Sequence, residues 1–338
     1  MTPRPLPRRA RAARSLGAFL AAALLFGALT ACGPVDSMLG IRPAPSATPA
    51  GALSATRAAE IATALFAKAA TTTEASKAGD AARAEVYTGV ALTAANASAT
   101  LAKVLTPADL AARATSGEPP VVIAVSAGPS FPRQMVVRTT LKNGLPVLHL
   151  LISADVRSPY RIAASATMLP GASVRPFAPL SGGSEPVGDG TGLSVTPGDA
   201  LSLLTPTLVF PGPTARDPRL ADDTWSQAIR AAAKAKATAL GASATLAEAH
   251  KSRGALGGLR TADGGALVFV VLDRTDTLVP KAGIVLTPTA AFTALTGLKE
   301  IRKSAGTATL EFLAIEIPAS GAARVVAATE QLYAASGS

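Results

Sequence analysis

The two side chains best suited to chemistry near neutral pH, histidine and cysteine, are scarce in this chain. His149 and His250 are the only histidines and Cys32 is the only cysteine. His149 alternates with apolar neighbours, and Asp155 and Tyr160 follow closely. Brought together, these three types could form an acid–base group, with the imidazole moving a proton and the carboxylate fixing its tautomer. The plainer reading, and the expected one, is a histidine packed and hydrogen-bonded between layers. No His-x-x-x-His spacing is present, so no metal ligand is expected. Gly-x-Ser-x-Gly and Ser-x-x-Lys are also missing, and with them the usual contexts of a serine nucleophile. Gly188-Asp189-Gly190-Thr191-Gly192 has the glycines of a phosphate loop without the Lys-Ser/Thr that completes one. No catalytic residue and no cofactor are expected. His149, Tyr160, Trp225 and Phe269 are the candidate ligand contacts, although Trp225 and Phe269 suit a core anchor better.

The elements that must hold these residues change character along the chain. From Ser54 the pattern is helical, with Ile61, Leu65 and Phe66 at helix spacing. Gly79-Asp80 restarts a second helix that carries Val86, Tyr87 and Val90 and extends towards Leu101, and Thr106-Pro107-Ala108-Asp109 is a third start signal. After Pro119-Pro120 the period becomes that of strands, at 121–125, 134–141, 145–154 and 160–169. Asn143-Gly144 marks a hairpin between two of them. Residues 170–192 read as a Pro-, Gly- and Ser-rich join. The order then repeats. Thr196 and Asp222-Asp223-Thr224 start helices, the second running from Trp225 to about Leu240, and Thr245 to Lys251 could add a turn. Strands are expected at 255–261, 266–274, 281–286, 307–317 and 322–333, with Asp263-Gly264-Gly265 as a second hairpin turn. Strands 145–154 and 266–274 are apolar on both faces, so something must cover each side. The expectation is that the two halves cover each other, with Val147, His149 and Leu151 at or near that contact and no large cavity there, which ranks a binding module above a carrier.

The first residues decide location. Arg4, Arg8, Arg9, Arg11 and Arg14 precede an apolar run, which ends at Leu29-Thr30-Ala31-Cys32. This is the order of a secretory signal peptide, and the four residues resemble the lipobox of bacterial lipoproteins. The resemblance implies cleavage between Ala31 and Cys32 and a diacylglycerol on Cys32; two acyl chains hold a protein stably to a membrane where one does not. Loss of those five Arg would lower the formal charge from +10 to about +5. No basic run with interleaved aromatics follows, so a nucleic-acid partner is not expected. With Cys32 acylated, no thiol remains for a disulfide.

Helices followed by an antiparallel sheet, twice, argue for α+β with two similar lobes, each with helices packed on a curved sheet. Each half loosely resembles the NTF2-like and cystatin-like families. Through Tyr87-Thr88-Gly89-Val90-Ala91-Leu92, Phe131-Pro132-Arg133 and the stretch from Leu259 to Phe269, the chain resembles uncharacterised surface lipoproteins of actinobacteria. The expected layout is a signal peptide at 1–31, a flexible tether at 32–53, a first lobe at 54–170, a linker at 171–194 and a second lobe at 195–338. The expected function is that of a non-enzymatic binding module on the extracytoplasmic face of the membrane. Its partners would be the membrane, through the anchor, and an envelope protein or apolar ligand. A carrier of an apolar or lipid ligand is the alternative, and an NTF2-like enzyme stands third.

Overall fold

The computed structural model describes residues 50–213 and 215–338; Ala31 and Cys32, the expected cleavage and lipidation positions, lie outside the described residues. The helices start where side chains can satisfy their free N–H groups. Ser54 accepts from the Arg57 N–H at the head of α1 (Ala55–Ala70), and Ser76 accepts from Gly79 at α2 (Lys77–Val86). Extended backbone at Tyr87-Thr88 ends α2 and sets off α3 (Gly89–Leu101), where the sequence suggested one continuous helix. Thr106 and Asp109 cap each other reciprocally at α4 (Pro107–Arg113).

Strands β1 (Val121–Val125), β2 (Arg133–Thr140), β3 (Pro146–Ser153) and β4 (Arg161–Met168) then pair in chain order. Thr196 caps α5 (Pro197–Leu208) and Asp223 caps α6 (Thr224–Leu240). A second set follows: β5 (Ala244–Arg260), β6 (Ala266–Pro280), β7 (Ala305–Ile317) and β8 (Arg324–Gly337), with the short α7 (Ala290–Thr296) between β6 and β7. The fold is therefore α+β, with seven helices and eight antiparallel strands among the described residues. All eight strands form one sheet in the order β1-β2-β3-β4-β8-β7-β6-β5. Its two halves join through a short ladder between β4 and β8, the pairs Thr167–Ala328 and Met168–Ala327.

That narrow joint lets the two halves of the sheet face each other. Leu148 and Leu150 of β3 share a buried cluster with Leu267, Phe269 and Val271 of β6. The opposite face of β6, carrying Val268, Val270 and Leu272, packs under Leu201 and Leu204 of α5 and Trp225 and Ile229 of α6. The opposite face of β2 to β4, with Met135, Val137, Leu151 and Ile162, packs under Ala58, Ala62 and Leu65 of α1. Both faces of each half are thus covered, which is what their doubly apolar strands require. The face of β3 turned towards the second half is that of Leu148 and Leu150, however. Leu151 points the other way, into the cluster under α1, correcting its expected placement. Val147 and His149 line a cleft shared with Phe312, Thr329 and Gln331 of the second half; they lie near the contact, but beside an open cleft and not in a filled interior.

Residues 171–194 run irregularly and are tied to both halves. The Ser184 N–H donates to Val125 O, and the N–H groups of Val187 and Arg260 donate to Gly258 O and Glu185 O. At Gly258 a Cβ would lie 2.5 Å from Leu267 O, so only glycine lets the strands and this segment approach so closely.

Three further elements differ from expectation. Residues 245–251 are strand, as the first part of β5, because Leu246, Glu248 and His250 alternate inward; two of the inward residues are polar, which hid the period. Residues 281–286 are not a strand but a turn, with one bridge from Leu286 to Ile301. Helix α7 has a cap at each end, Thr289 and the left-handed Gly297, but only Phe292 is buried, so it shows no helical period.

Candidate functional site

His149 stands in the middle of β3, directly across from Ser165 of β4 and diagonal to Thr139 of β2. Its Nδ1 lies 2.8 Å from Ser165 Oγ, and its Nε2 lies 2.8 Å from Thr139 Oγ1. The Phe66 ring of α1 closes over it at 4.6 Å between centroids. Both nitrogens are therefore engaged with hydroxyls, which can donate or accept as the tautomer requires. No carboxylate faces the ring, and burial pushes its pKa from 6.5 down to about 3. His149 is a neutral imidazole at physiological pH.

This histidine lines a cleft of about 430 Å³ between α3, α4 and the joint of the sheet. The cleft is open because of what α3 presents to it. Ala91, Ala94, Ala95 and Ser98 fall at i, i+3, i+4 and i+7, one face of small side chains. The floor is made of hydroxyls: Thr139 and Ser165 beside His149, and Thr167 and Thr329, whose hydroxyls are 3.2 Å apart across the joint. Tyr87 and Phe312 supply ring surface, and Arg113, Glu330 and Gln331 complete the lining. Such a wall offers neutral donors and acceptors around an apolar centre, an arrangement suited to holding a small ligand in a fixed orientation.

The other expected contacts lie elsewhere. Tyr160 packs among the residues under α1, with a buried hydroxyl that has no partner among the described residues. Asp155 spends its carboxylate on the N–H groups of Arg157 and Ser158 and on the Ser158 hydroxyl, in the turn after β3. The His149–Asp155–Tyr160 group is therefore not assembled. Phe269 is fully buried between the two halves of the sheet and reaches no ligand. Trp225 is core beneath α6, with its Nε1–H donating to Glu330 at 3.3 Å.

His250, expected at a helix end, lies instead in β5 within a buried chain of charges that the sequence did not reveal. His250 Nδ1 meets Glu311 at 2.9 Å, and Arg274 bonds Glu311 and Glu330 at 3.2 and 2.7 Å. Lys236 of α6 closes on Asp276 at 2.6 Å. Burial raises the pKa of Glu311, against the lowering effect of the His250 bond, and burial also raises that of Glu248. Among the described residues no cluster of three or more His, Cys, Asp or Glu is arranged to hold a metal ion.

Lys236 and Asp276 also border a second cavity, of about 310 Å³, enclosed by Leu240, Leu246, Leu278, Phe292 and Ile301 under α7. Its walls are mostly apolar. None of the described helices is long and apolar enough to cross a membrane.

Residues 182–337 match the model of a family described as Domain of unknown function (DUF8094), which covers the second half of the strands and somewhat less than half of the chain. Neither a curated protein nor a solved structure matches the chain.

Proposed function

We propose that this chain is a lipid-anchored lipoprotein on the extracytoplasmic face of the cell membrane, acting as a non-enzymatic binding module of the envelope. Its ligand lies in the cleft beside His149. The anchor reading rests on Leu29-Thr30-Ala31-Cys32 after an Arg-rich, apolar leader, and on the same stretches that resemble actinobacterial surface lipoproteins. The single observation that carries the binding reading is the state of His149. Neutral, with both nitrogens spent on hydroxyls and no carboxylate behind it, this imidazole is the expected packed, hydrogen-bonded histidine. It does not shuttle protons, and it fixes the Thr139 and Ser165 hydroxyls, which keep hydrogen-bonding capacity for a ligand. A small ligand rich in hydroxyl or amide groups suits that floor.

The two halves are, in this reading, similar lobes. Support comes from their shared plan, since in each a set of helices precedes four antiparallel strands paired in chain order. The carrier of an apolar ligand is the second reading, and the cavity under α7 favours it.

Passing an extract of envelope components over the immobilised protein tests the binding reading. The expected result is retention of a component that is released chemically unchanged, and its loss in Ala94→Leu, where a larger side chain fills the cleft. Release of a modified product would instead favour an enzyme. The anchor has its own test: Cys32→Ala is expected to leave an unprocessed chain without bound acyl groups, and acylation of that variant would contradict it.

A further inference from the structure

The broad groove between α1 and the turn joining β3 to β4 encloses about 650 Å³ and differs in character from the His149 cleft. Arg57, Lys68, Arg133 and Arg161 line it, with Glu85 as the one acid in its wall. Glu85 is taken by Lys68, and Glu60 outside the groove pairs with Arg57 at 3.0 Å, so four cations stand against two carboxylates. Arg133 and Arg161 take part in no ion pair among the described residues.

Three buried polar atoms gather here without a partner among the described residues: Arg133 Nε, Arg161 Nε and the Tyr160 hydroxyl. Tyr160 is only 9% exposed and lines the groove. All three are donors, and buried donors left unpaired cost free energy that an acceptor placed in the groove would recover. The Arg133 guanidinium also stacks on the Phe131 ring at 4.5 Å, which fixes its plane; its Nη2 donates to Pro129 O at 3.4 Å, and its Nε has no partner among the described residues. The α1 wall carries Ile61, Ala64 and Leu65 between Arg57 and Lys68, Leu53 adds to this apolar surface, and Val156, also in the lining, is 82% exposed.

We propose that this groove is a binding site for a phosphorylated amphiphile. The phosphate oxygens meet Arg133, Arg161 and the Tyr160 hydroxyl, and the alkyl part lies along Leu53, Ile61 and Leu65. Phosphate suits the donor set because its several acceptor oxygens can serve two guanidiniums and a phenol at once. The site is independent of the His149 cleft and of the proposed anchor.

Titration calorimetry of the full chain in dodecyl maltoside micelles, a phosphate-free detergent, tests it, with hexyl phosphate as the probe and protein-free micelles as the blank. Hexyl phosphate is expected to bind at least about tenfold more tightly than inorganic phosphate or hexanol, since both walls contribute. Arg133→Gln and Arg161→Gln are each expected to weaken it about tenfold, and Tyr160→Phe, which keeps the ring, about threefold. Lys68→Gln, on the exposed rim, covers the case in which an Arg variant fails to fold, and is expected to weaken binding about twofold to threefold. Equal binding of inorganic phosphate or hexanol would overturn the proposal, as would unchanged affinity in natively melting Arg133→Gln and Tyr160→Phe proteins. Displacement of hexyl phosphate by dihexanoyl phosphatidylglycerol would support a membrane lipid as the source; failure to displace would support a single-chain phosphate ester.

Discussion

At the scale of residues, the fate of His149 turns on strand register. The sequence displays a histidine among apolar residues, but it cannot say which residues stand beside it. Pairing β3 with β4 puts Ser165 directly across, and pairing it with β2 puts Thr139 on the diagonal. A nearby Asp155 and Tyr160 in sequence are remote from that geometry because the chain turns between Asp155 and Ser158. The depressed pKa has a sign that can be checked. The unfolded chain binds a proton on this residue below about pH 6.5, and the folded chain binds it only near pH 3. Its contribution to stability is therefore full above 6.5 and is lost as pH falls towards 3, at up to about 1.4 kcal/mol per pH unit. Since carboxylates titrate in the same window, the readout is the difference from His149→Gln. Denaturant unfolding at several pH values should show a shallower acid loss in the variant. The charge chain gives a second expectation. Arg274→Met takes one partner from Glu311 and Asp276, which keep His250 and Lys236, and should cost about 1.5–3 kcal/mol in the same assay.

At the scale of elements, local signals were most legible where a side chain satisfies a backbone group. Ser54, Thr106, Thr196 and Asp223 all cap the helices expected after them. Asn143-Gly144 and Asp263-Gly264-Gly265 turn their hairpins, with Gly144 and Gly264 in the left-handed region that the turns need. Legibility failed where packing, rather than the local chain, decides. The inward Glu248 and His250 make sense only beside Lys236, Asp276 and Glu311, which come from other elements. The cleft was not legible either, although the small residues at 91, 94, 95 and 98 were in view; their meaning depends on what stands opposite. Asp223 gives the sharpest test at this scale. Its carboxylate caps α6 at Ser226 N, 2.7 Å away, accepts from the Ser226 hydroxyl at 2.8 Å, and holds Arg216 at 3.0 Å. Asp223→Ala should lower stability by about 2 kcal/mol, the upper end for a lost cap, measured by chemical denaturation.

At the scale of the whole molecule, doubly apolar strands announced that each sheet face would be covered, and the structure shows by what. Helices lie outside on both sides, and the two halves of one sheet meet through Phe269, Leu150 and their neighbours. Phe269→Ala would open a cavity at that contact and should cost about 3–5 kcal/mol, with loss of stability in both halves together. The segment 171–194, bonded to both halves, should resist limited proteolysis as long as the strands beside it do. The proposed binding function rests on a cleft that only the whole fold creates, at the joint where β4 meets β8. Native mass spectrometry of the protein extracted from its own membrane tests that function most directly. The account predicts a bound mass beyond any covalent lipid, lost in Ala94→Leu, which fills the His149 cleft, and kept in Thr307→Leu, which fills the cavity under α7. A bound mass that survives Ala94→Leu and disappears in Thr307→Leu would contradict it, and would make the apolar cavity, and carriage of its contents, the function of the protein.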